Sequence, residues 1–249
     1  MNIVLFHDHE LVSPIPRADR RIQHVLTVLN KKQGDTFKAG VINTSIGHAV
    51  LTNITDSEVT VTYIPDGEPV PPLPITLLLG FPRPIQAKRI FKDCTSLGIA
   101  SIILTGTELG EKSYRESTFF KENEYVENLF EGAEQAGNPC IPHVSKYWSL
   151  QKALTNEKEQ FFAAQKIVLH PENQNNGSSI ACTSLGKLEI DPHIPIVLAI
   201  GSERGWTEHE VSLLEEHGFK RVGLGTRILR TETACTVALA ILAAKLGYL

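Results

Sequence analysis

Blocks of apolar and polar residues alternate along the second part of the chain, and their lengths predict strands that are followed by helices. Apolar runs at Ile75–Phe81, Ile99–Leu104 and Ile196–Ile200 are typical of buried strands. The segments Gln86–Leu97 and Glu122–Ala136 are predicted to be helices. This alternation favours an α/β domain with a parallel sheet. Further predicted elements are a helix that starts at Ser149, a strand at Lys166–Leu169, a polar loop at Gln174–Ser184 and an Ala- and Leu-rich helix at the end of the chain.

The first part of the chain has a different pattern, in which short runs of strand-forming residues dominate. One helix is predicted over Asp19–Asn30, because Ile22, Val25, Leu26 and Leu29 share one of its faces. Short turns separate the three runs that follow this helix, as in a small antiparallel barrel. The predicted strands are Asn2–Phe6, Thr36–Ile42, His48–Ile54 and Glu58–Ile64.

A proline-rich stretch, Pro65–Pro72, separates the two patterns. Four of its eight residues are proline, which is a composition typical of a linker. We therefore predict two domains, a small β-rich one over residues 1–68 and a larger α/β one over residues 73–249.

Two strand ends near the C-terminus are marked by glycine. The strand Ile196–Ile200 runs into the loop Gly201–Gly205, and a strand at Arg221–Leu224 runs into Gly225. Between them, Thr207 begins a T-x-x-E capping box that predicts the start of a helix. Glycine-marked ends of parallel strands are a common place for a ligand, so we predict a binding site there.

Composition and charge narrow the class of protein. The 249 residues are 42% hydrophobic and 21% charged, which is ordinary for a globular protein. A net charge of −4 counts against a broadly basic surface for nucleic acid, although a local basic patch is compatible with it. The four cysteines form no C-x-x-C pair, which argues against a disulfide framework and a zinc cluster. With neither a signal peptide nor an apolar run long enough to span a bilayer, we expect a cytoplasmic protein.

The C-terminal motifs resemble those of one family. Leu224–Ala234 reads L-G-T-R-I-L-R-T-E-T-A, which matches in full the second motif of the bacterial small-subunit ribosomal RNA methyltransferases of the SPOUT class. These enzymes methylate N3 of a uridine. Ile200–Gly205 matches their I-G-P-E-G-G motif in part, with Ser202 and Arg204 as the departures. The resemblance continues upstream with Glu134, Gln135, Gly137 and Pro142, where Asn138 and Cys140 replace two arginines, and with His24, Val28, Leu29, Gly34 and Asp35 near the N-terminus.

The resemblance implies a fold, a cofactor and partners. Residues 1–68 would form a PUA-like RNA-binding β-barrel, and residues 73–249 a SPOUT methyltransferase domain with a trefoil knot, working as a homodimer on the small ribosomal subunit. The cofactor would be S-adenosylmethionine, and no metal is implied. The implied cofactor-binding residues are Leu169, His170, Pro171, Ile200, Gly201, Gly205, Leu224, Gly225, Ile228, Leu229, Thr233 and Ala234.

The resemblance also implies catalytic and RNA-binding residues. Arg230 would stabilise the anion formed when uridine N3 loses its proton, and Glu203 or Glu232 would act as base or orienter. The target base would leave its stack to enter the pocket. The implied RNA-binding residues are Arg17, Arg20, Arg21, Lys88 and Gln135.

Each of these assignments has an alternative. Gly201–Gly205 could be an ordinary turn, Glu232 could favour the N-terminus of the last helix while it pairs with Arg230, and the basic residues could be solvated helix faces. A retargeted or catalytically idle relative of the family is the second functional hypothesis, motivated by Ser202, Arg204, Asn138 and Cys140. A dinucleotide-dependent enzyme ranks last, because the sequence after Leu79 lacks G-x-G-x-x-G.

Overall fold

The computed structural model describes residues 2–170 and 183–249, which divide into two compact units. The first unit comprises the residues up to Pro71 together with Phe130–Ile141. The second comprises Pro72–Leu129 and Pro142–Leu249. The first change of unit falls in the proline-rich stretch, within the gap left between the two predicted domains. The sequence analysis placed residues 130–141 in the second domain, whereas the structure places them in the first unit.

The first unit is built on a five-stranded sheet in the order β1-β3-β4-β5-β2. β1 pairs with β3 in parallel, and the other neighbours are antiparallel. The antiparallel pairing predicted for the three runs after the helix is confirmed, since they form β3, β4 and β5. β1, for which no pairing was predicted, is parallel to β3 because the chain crosses over through a helix before it returns as β3. The strands are β1 (Val4–Phe6), β2 (Ile15–Pro16), β3 (Thr36–Val41), β4 (Ser45–Ile54) and β5 (Glu58–Gly67).

Strand β5 extends beyond its predicted end at Ile64 into the proline-rich stretch. Gly47 of β4 lies opposite Pro65, and a Cβ atom at Gly47 would overlap the Ile64 carbonyl oxygen. The absence of a side chain at Gly47 lets the two strands approach at an irregularity in their register. The segment Pro65–Gly67 is consequently part of a strand rather than of a linker.

The predicted helix of the first unit consists of two kinds of turn. α1 (Arg20–Gln23) continues as a π-helical segment, His24–Val28. Its wider turn changes which residues face the sheet. Ile22 and Val25 are buried as predicted, but Leu29 is exposed.

The second unit contains a six-stranded parallel sheet in the order β11-β9-β10-β6-β7-β8, flanked along the chain by helices. The predicted α/β class with a parallel sheet is confirmed. The strands are β6 (Leu73–Gly80), β7 (Ile99–Thr105), β8 (His143–Tyr147), β9 (Gln165–Leu169), β10 (Ile196–Ile200) and β11 (Lys220–Val222). The helices that follow α1 are α2 (Pro84–Ser96), α3 (Lys112–Arg115), α4 (Thr118–Lys121), α5 (Val126–Ala136), α6 (Leu150–Asn156), α7 (Lys158–Phe162), α8 (Glu208–Glu216) and α9 (Thr231–Lys245), and short 3-10 turns lie at Asp8–Val12 and Leu185–Lys187.

The sheet is most deeply buried at its centre, where β6 and β10 are neighbours. All five residues of β10 are buried, and Leu77, Leu78 and Leu79 of β6 are completely inaccessible. Such strands are apolar throughout because helices cover both faces of a parallel sheet. Burial of these strands in the core therefore explains the apolar runs from which they were predicted.

Local signals set two helix starts in the second unit. The capping box before α8 is present, because Thr207 Oγ1 accepts from Glu210 N at 3.1 Å and Glu210 Oε2 accepts from Thr207 N at 2.9 Å. The helix predicted from Glu122 begins only at Val126. Asn123 has a φ of 60°, and its side-chain oxygen accepts from Lys146 Nζ at 2.7 Å. A left-handed residue there delays the helix.

No helix within residues 2–170 and 183–249 combines the length and the apolar character needed to cross a membrane.

Replacing Leu198 by alanine tests whether the centre of the sheet stabilises the second unit. Leu198 is completely buried in β10, so Leu198→Ala leaves a cavity and should lower the free energy of unfolding by about 2–5 kcal/mol. Urea unfolding followed by tryptophan fluorescence reports this unit, because Trp148 and Trp206 both belong to it. Ile85→Ala is the control, since Ile85 is 59% exposed and should change stability by less than about 0.5 kcal/mol. Equal effects of the two variants would contradict this account.

Candidate functional site

Three neighbouring strand ends form the candidate site. β9 pairs with β11 through Leu169 and Val222, and with β10 through Val168 and Ala199. His170 N donates to the Val222 carbonyl oxygen at 3.1 Å, just beyond the ladder. Because all three strands are parallel, their carboxyl ends lie at one edge of the sheet. The structure therefore brings together three segments that are far apart in sequence, namely Leu169–His170, Ile200–Gly205 and the chain after Val222; the predicted cofactor residue Pro171 lies outside the described residues.

The loop after β10 is a tight turn that depends on missing side chains. Gly205 has a φ of 74°, and its N–H donates to the Ser202 carbonyl oxygen at 2.8 Å. A Cβ atom at Gly201 would lie 2.5 Å from the Gly205 carbonyl carbon. A Cβ atom at Gly80, the end of β6, would lie 2.5 Å from Ser202 N. The turn is thus packed backbone against backbone on both sides.

The side chains of this loop have structural partners. Ser202 is buried, and its Oγ lies 3.1 Å from Thr107 Oγ1. Glu203 Oε1 accepts from Arg83 N at 2.6 Å, at the N-terminus of α2, where a carboxylate is favourable. Arg204 Nη2 lies 3.0 Å from Glu111 Oε1 in an exposed ion pair. The guanidinium of Arg204 is therefore directed to a carboxylate of the loop after β7.

The segment between β11 and α9 is the most exposed part of the candidate site. Gly225 has a φ of 108° and open space where a side chain would be, and Ile228 is 88% exposed. Leu224 and Leu229 are half-buried, whereas Arg230 is exposed. α9 begins at the buried Thr231. This segment therefore offers backbone and side-chain groups to a ligand.

The first turn of α9 carries the other predicted residues. Glu232 and Ala234 are half-buried and Thr233 is exposed. The structure shows no ion pair between Arg230 and Glu232, so the pairing that the sequence suggested as an alternative is absent. The charge of Arg230 therefore remains uncompensated by a neighbouring carboxylate of its own segment.

A polar cluster that sequence reasoning did not find lies behind His170. His170 Nε2 is 3.1 Å from Glu208 Oε1, and Glu208 Oε2 accepts from Arg221 Nη2 at 3.0 Å. The hydrogen bond from Arg221 lowers the pKa of Glu208. In the sequence, Glu208 stands out only as an acidic residue at the start of a capped helix. That feature is too common to mark a site. The cluster orients the His170 ring at the edge of the candidate site.

A second missed cluster ties the loop after β7 to the start of α8. Glu108 Oε2 accepts from Thr207 Oγ1 and Glu108 Oε1 lies near His209 Nδ1, each at 2.6 Å. The hydrogen bond from Thr207, and after it that from His209, lowers the pKa of Glu108. The hydrogen bond to Glu108 in turn raises the pKa of His209. Glu108 N also donates to Glu210 Oε1 at 2.9 Å. The cluster holds two loops of the same sheet edge together.

Arg21, a predicted RNA-binding residue, has a structural role in the first unit. Its guanidinium donates to Glu10 Oε1 at 2.7 Å, to Asp19 Oδ2 at 2.8 Å and to the Leu5 carbonyl oxygen at 2.9 Å. It also lies 5.2 Å from the centre of the Phe6 ring. Hydrogen bonds from Arg21 lower the pKa of both carboxyls. With its charge neutralised, Arg21 is a poor candidate for a phosphate contact.

The other predicted RNA-binding residues are more accessible. Arg17 Nη1 donates to the Thr55 carbonyl oxygen at 2.8 Å, and Arg20 Nη2 lies 3.4 Å from Glu134 Oε1. Burial raises the pKa of Glu134. Gln135 has an exposed side chain in the same unit as Arg20. In the second unit, Lys88 is exposed, with Nζ 5.8 Å from the centre of the Phe119 ring.

Within residues 2–170 and 183–249, no three or more His, Cys, Asp or Glu side chains are grouped so as to hold a metal ion.

Comparison with known proteins decides the family. The profile of a family described as an RNA methyltransferase domain matches residues 69–243, which is well over half of the chain. The chain belongs to this RNA methyltransferase family. The resemblance identified from the C-terminal motifs is thereby confirmed.

Two relatives of this family member match it over nearly its whole length. The protein of Treponema pallidum named ribosomal RNA small subunit methyltransferase E is 37% identical over 98% of this chain and 91% of its own length. The protein of Borreliella burgdorferi named ribosomal RNA small subunit methyltransferase E 1 is 32% identical over 99% of each chain.

A solved structure shares the fold. The crystal structure of a ribosomal RNA small subunit methyltransferase E from Neisseria gonorrhoeae, bound to S-adenosyl methionine, superposes with a TM-score of 0.76. It is 23% identical and covers 98% of this chain and 97% of its own. At this identity the likeness concerns the architecture.

In this family member, the two positions that lack the expected arginines build a turn. Asn138 Nδ2 donates to the Val70 carbonyl oxygen at 2.8 Å, and Asn138 Oδ1 accepts from Cys140 N at 3.0 Å. Cys140 is half-buried, and burial raises the pKa of its thiol. Both side chains therefore serve the local structure of the first unit.

A methyl group added at Gly201 tests the tight turn. Gly201→Ala would place Cβ against the Gly205 backbone, so we expect a loss of about 1–3 kcal/mol in the free energy of unfolding, measured in urea. Gly186→Ala is the matched control, because its Cβ would meet only Ser184 Oγ at 3.8 Å. If Gly201→Ala were as stable as Gly186→Ala, the close approach would not constrain the loop.

Proposed function

We propose that this protein transfers the methyl group of S-adenosylmethionine to N3 of a uridine in small-subunit ribosomal RNA. The observation that carries the proposal is the meeting of three loops at the carboxyl edge of β9, β10 and β11. These loops contain the two motifs that resemble the uridine-N3 methyltransferases. The names of the two full-length relatives, and the cofactor bound to the Neisseria enzyme, support methyl transfer from S-adenosylmethionine to small-subunit ribosomal RNA. The choice of uridine N3 rests on the motif resemblance.

The residues at this edge fit the cofactor. Open space at Gly205 and Gly225 leaves main-chain groups accessible to a ligand, while the close backbone packing at Gly201 fixes the shape of its loop. The half-buried Leu224 and Leu229 supply apolar surface for the adenine. The proposed cofactor contacts within the described residues are Leu169, His170, Ile200, Gly201, Gly205, Leu224, Gly225, Ile228, Leu229, Thr233 and Ala234.

The bound cofactor supplies an electrophilic methyl group on a sulfonium. In the transfer, the bond from the methyl carbon to sulfur breaks, a bond to uridine N3 forms, and N3 gives up its proton. The protein must position the two reactants in line and stabilise the anion of the base. Arg230 is the proposed source of that stabilisation, because its guanidinium is exposed beside the glycine-marked segment and has no carboxylate partner within the described residues.

Two carboxylates are candidates to accept or direct the N3 proton. Glu203 already accepts a hydrogen bond from Arg83 N at the start of α2. Glu232 lies half-buried in the first turn of α9, two residues from Arg230. This difference favours Glu232 as the base and Glu203 as a residue that positions its loop.

The family resemblance supports a wider assembly. We include in the proposal a PUA-like RNA-binding role for the first unit, a SPOUT-type knot in the second, and a homodimer that acts in the cytoplasm, where small ribosomal subunits are found. The exposed Ile228 supports a further contact at the site, because an apolar side chain that is 88% exposed gains from being covered.

The alternative is a relative of the family that binds the cofactor but acts on another RNA or on none. Asn138 and Cys140 favour it, because neither can grip phosphate as arginine does. Arg204 does not favour it, since its guanidinium pairs with Glu111.

Two measurements in sequence test the proposed function. Calorimetric titration with S-adenosylmethionine should show one site per chain. Small-subunit ribosomal RNA that lacks the modification should then gain a methyl group, and nucleoside analysis should identify N3-methyluridine. Cofactor binding without methylation of this RNA would replace the proposal by the retargeted relative. If the protein did not bind S-adenosylmethionine, both the proposed function and the retargeted relative would be ruled out.

Removing the guanidinium of Arg230 tests the catalytic assignment. Arg230→Ala should lower the single-turnover methylation rate by about 10²–10³-fold, because the developing anion loses its preorganised positive charge. Arg230→Lys should recover part of the rate. Lys220→Ala is the control for the loss of one positive charge, since Lys220 is exposed on β11 outside the proposed contacts. Wild-type rates for Arg230→Ala would remove Arg230 from the mechanism.

A further inference from the structure

We propose that a cleft at the carboxyl ends of β6, β7 and β8 binds one unpaired nucleotide of the RNA substrate, next to the nucleotide that is methylated. The proposal rests on the proposed function and adds to it a specificity site. We call this the aromatic cleft and define it by Phe81, Arg115, Lys121, Lys146 and Trp148. None of these residues was singled out by the sequence motifs.

The aromatic cleft lies on the same edge of the sheet as the proposed cofactor site. β6 is the direct neighbour of β10, and β7 and β8 continue the sheet on that side. Adjacent strands are about 4.8 Å apart, so the cleft begins within one or two strand spacings of the Gly201 loop. A cavity of about 300 Å³ fills the cleft, and a smaller one of about 100 Å³ shares Phe81 and Arg115 with it. A substrate at the Gly201 loop could therefore extend directly into the cleft.

The backbone of Trp148 is held by its neighbours, while its indole ring remains accessible to a ligand. A Cβ atom at Gly106 would overlap the Trp148 carbonyl oxygen, so the residue directly after β7 must be glycine to let Trp148 approach. Arg115 Nη1 donates to the same oxygen at 3.1 Å, and its guanidinium lies 5.1 Å from the centre of the indole ring. Trp148 is nevertheless 56% exposed. A large aromatic side chain that is fixed but exposed is suited to stack on a ligand.

The cleft is positively charged, unlike the chain as a whole. Among the described residues, Arg115, Lys121 and Lys146 form no ion pair with a carboxylate. Lys146 Nζ instead donates to the Phe120 carbonyl oxygen at 2.6 Å and to Asn123 Oδ1 at 2.7 Å, which fixes the charge at the wall of the cleft. These positive charges are left for a ligand.

The two acidic residues that line the smaller cavity, Glu108 and Glu111, are already engaged. Glu108 is bound by Thr207 and His209, and Glu111 pairs with Arg204. The Arg115 Nε atom is buried and has no protein acceptor among the described residues. Buried donors are normally satisfied, so this atom calls for an acceptor from outside the protein.

Together these features define the chemistry of the ligand. An exposed aromatic ring suits the face of a base, and uncompensated cations suit a phosphate. The cavity is near the lower end of the size range of small-ligand sites, which fits a single nucleotide. In duplex RNA the base faces are stacked and inaccessible, so the nucleotide must be unpaired. Single-stranded RNA that flanks the target uridine meets all of these conditions.

Binding of a labelled RNA to the full chain tests the cleft without any methyl transfer. The probe is a fluorescein-labelled single-stranded oligouridylate, with duplex RNA of the same length as comparison. Trp148→Ala should weaken single-strand binding about tenfold, and Trp148→Phe should largely restore it, because stacking needs the ring. Arg115→Ala should weaken binding and reduce its salt dependence by about one phosphate contact. Thermal unfolding checks that each variant is folded.

The controls are two exposed residues of α7, which precedes β9 at the opposite edge of the sheet. Phe162→Ala and Lys158→Ala remove an exposed ring and an exposed charge and should bind the probe as the wild type does. Wild-type binding by Trp148→Ala and Arg115→Ala would overturn the proposal, as would equal losses for single-stranded and duplex RNA.

Methylation assays on the same variants separate this proposal from the proposed function. In Trp148→Ala, KM for ribosomal RNA should rise about tenfold while the affinity for S-adenosylmethionine is unchanged. If the wild type methylates RNA and Trp148→Ala has the same KM, the cleft fails and the function stands. If the wild type methylates no RNA, the function fails, and the oligouridylate binding of Trp148→Ala alone decides the cleft.

Discussion

The parallel register of β9, β10 and β11 is the constraint on which the candidate site depends. Backbone hydrogen bonds end the three strands at one edge, and only there do loops that are distant in sequence meet. Burial of all five β10 residues opposes a shift of that strand. Moving it by one residue would draw into the ladder either Pro195, which has no N–H to donate, or Gly201, which has no side chain to pack. The register and the core packing of the sheet therefore together determine the geometry of the candidate site.

The distribution of charge along this edge explains how a chain with a net charge of −4 could bind RNA. Carboxylates at this edge are mostly paired within the protein. Glu108 accepts a hydrogen bond from Thr207, and Glu111 pairs with Arg204. Several cations are not, and Arg230 and Arg115 have no carboxylate partner within the described residues. Local pairing thus leaves a positive surface that a count of charged residues conceals.

The sequence by itself determined the features that depend on neighbouring residues or on burial. Buried strands must be apolar, which is why β6, β7 and β10 were predicted nearly at their observed bounds. The capping box at Thr207 is a local hydrogen-bond pattern and was found for that reason. The motif Leu224–Ala234 was long enough to indicate the family. It also supplied half of the candidate cofactor residues, whose individual roles stay predictions.

Only the tertiary structure decided which partners the polar side chains have. Arg21 belongs to a basic run in the sequence, but folding places Glu10, Asp19 and a carbonyl oxygen around it, so its charge serves the first unit. Trp148 and Arg115 are 33 residues apart, and a cleft exists because Gly106 lets them meet. The physical reason is the same in both cases. Secondary structure follows from short-range periodicity, whereas the neutralisation or exposure of a charge depends on groups that only folding brings within a few ångströms.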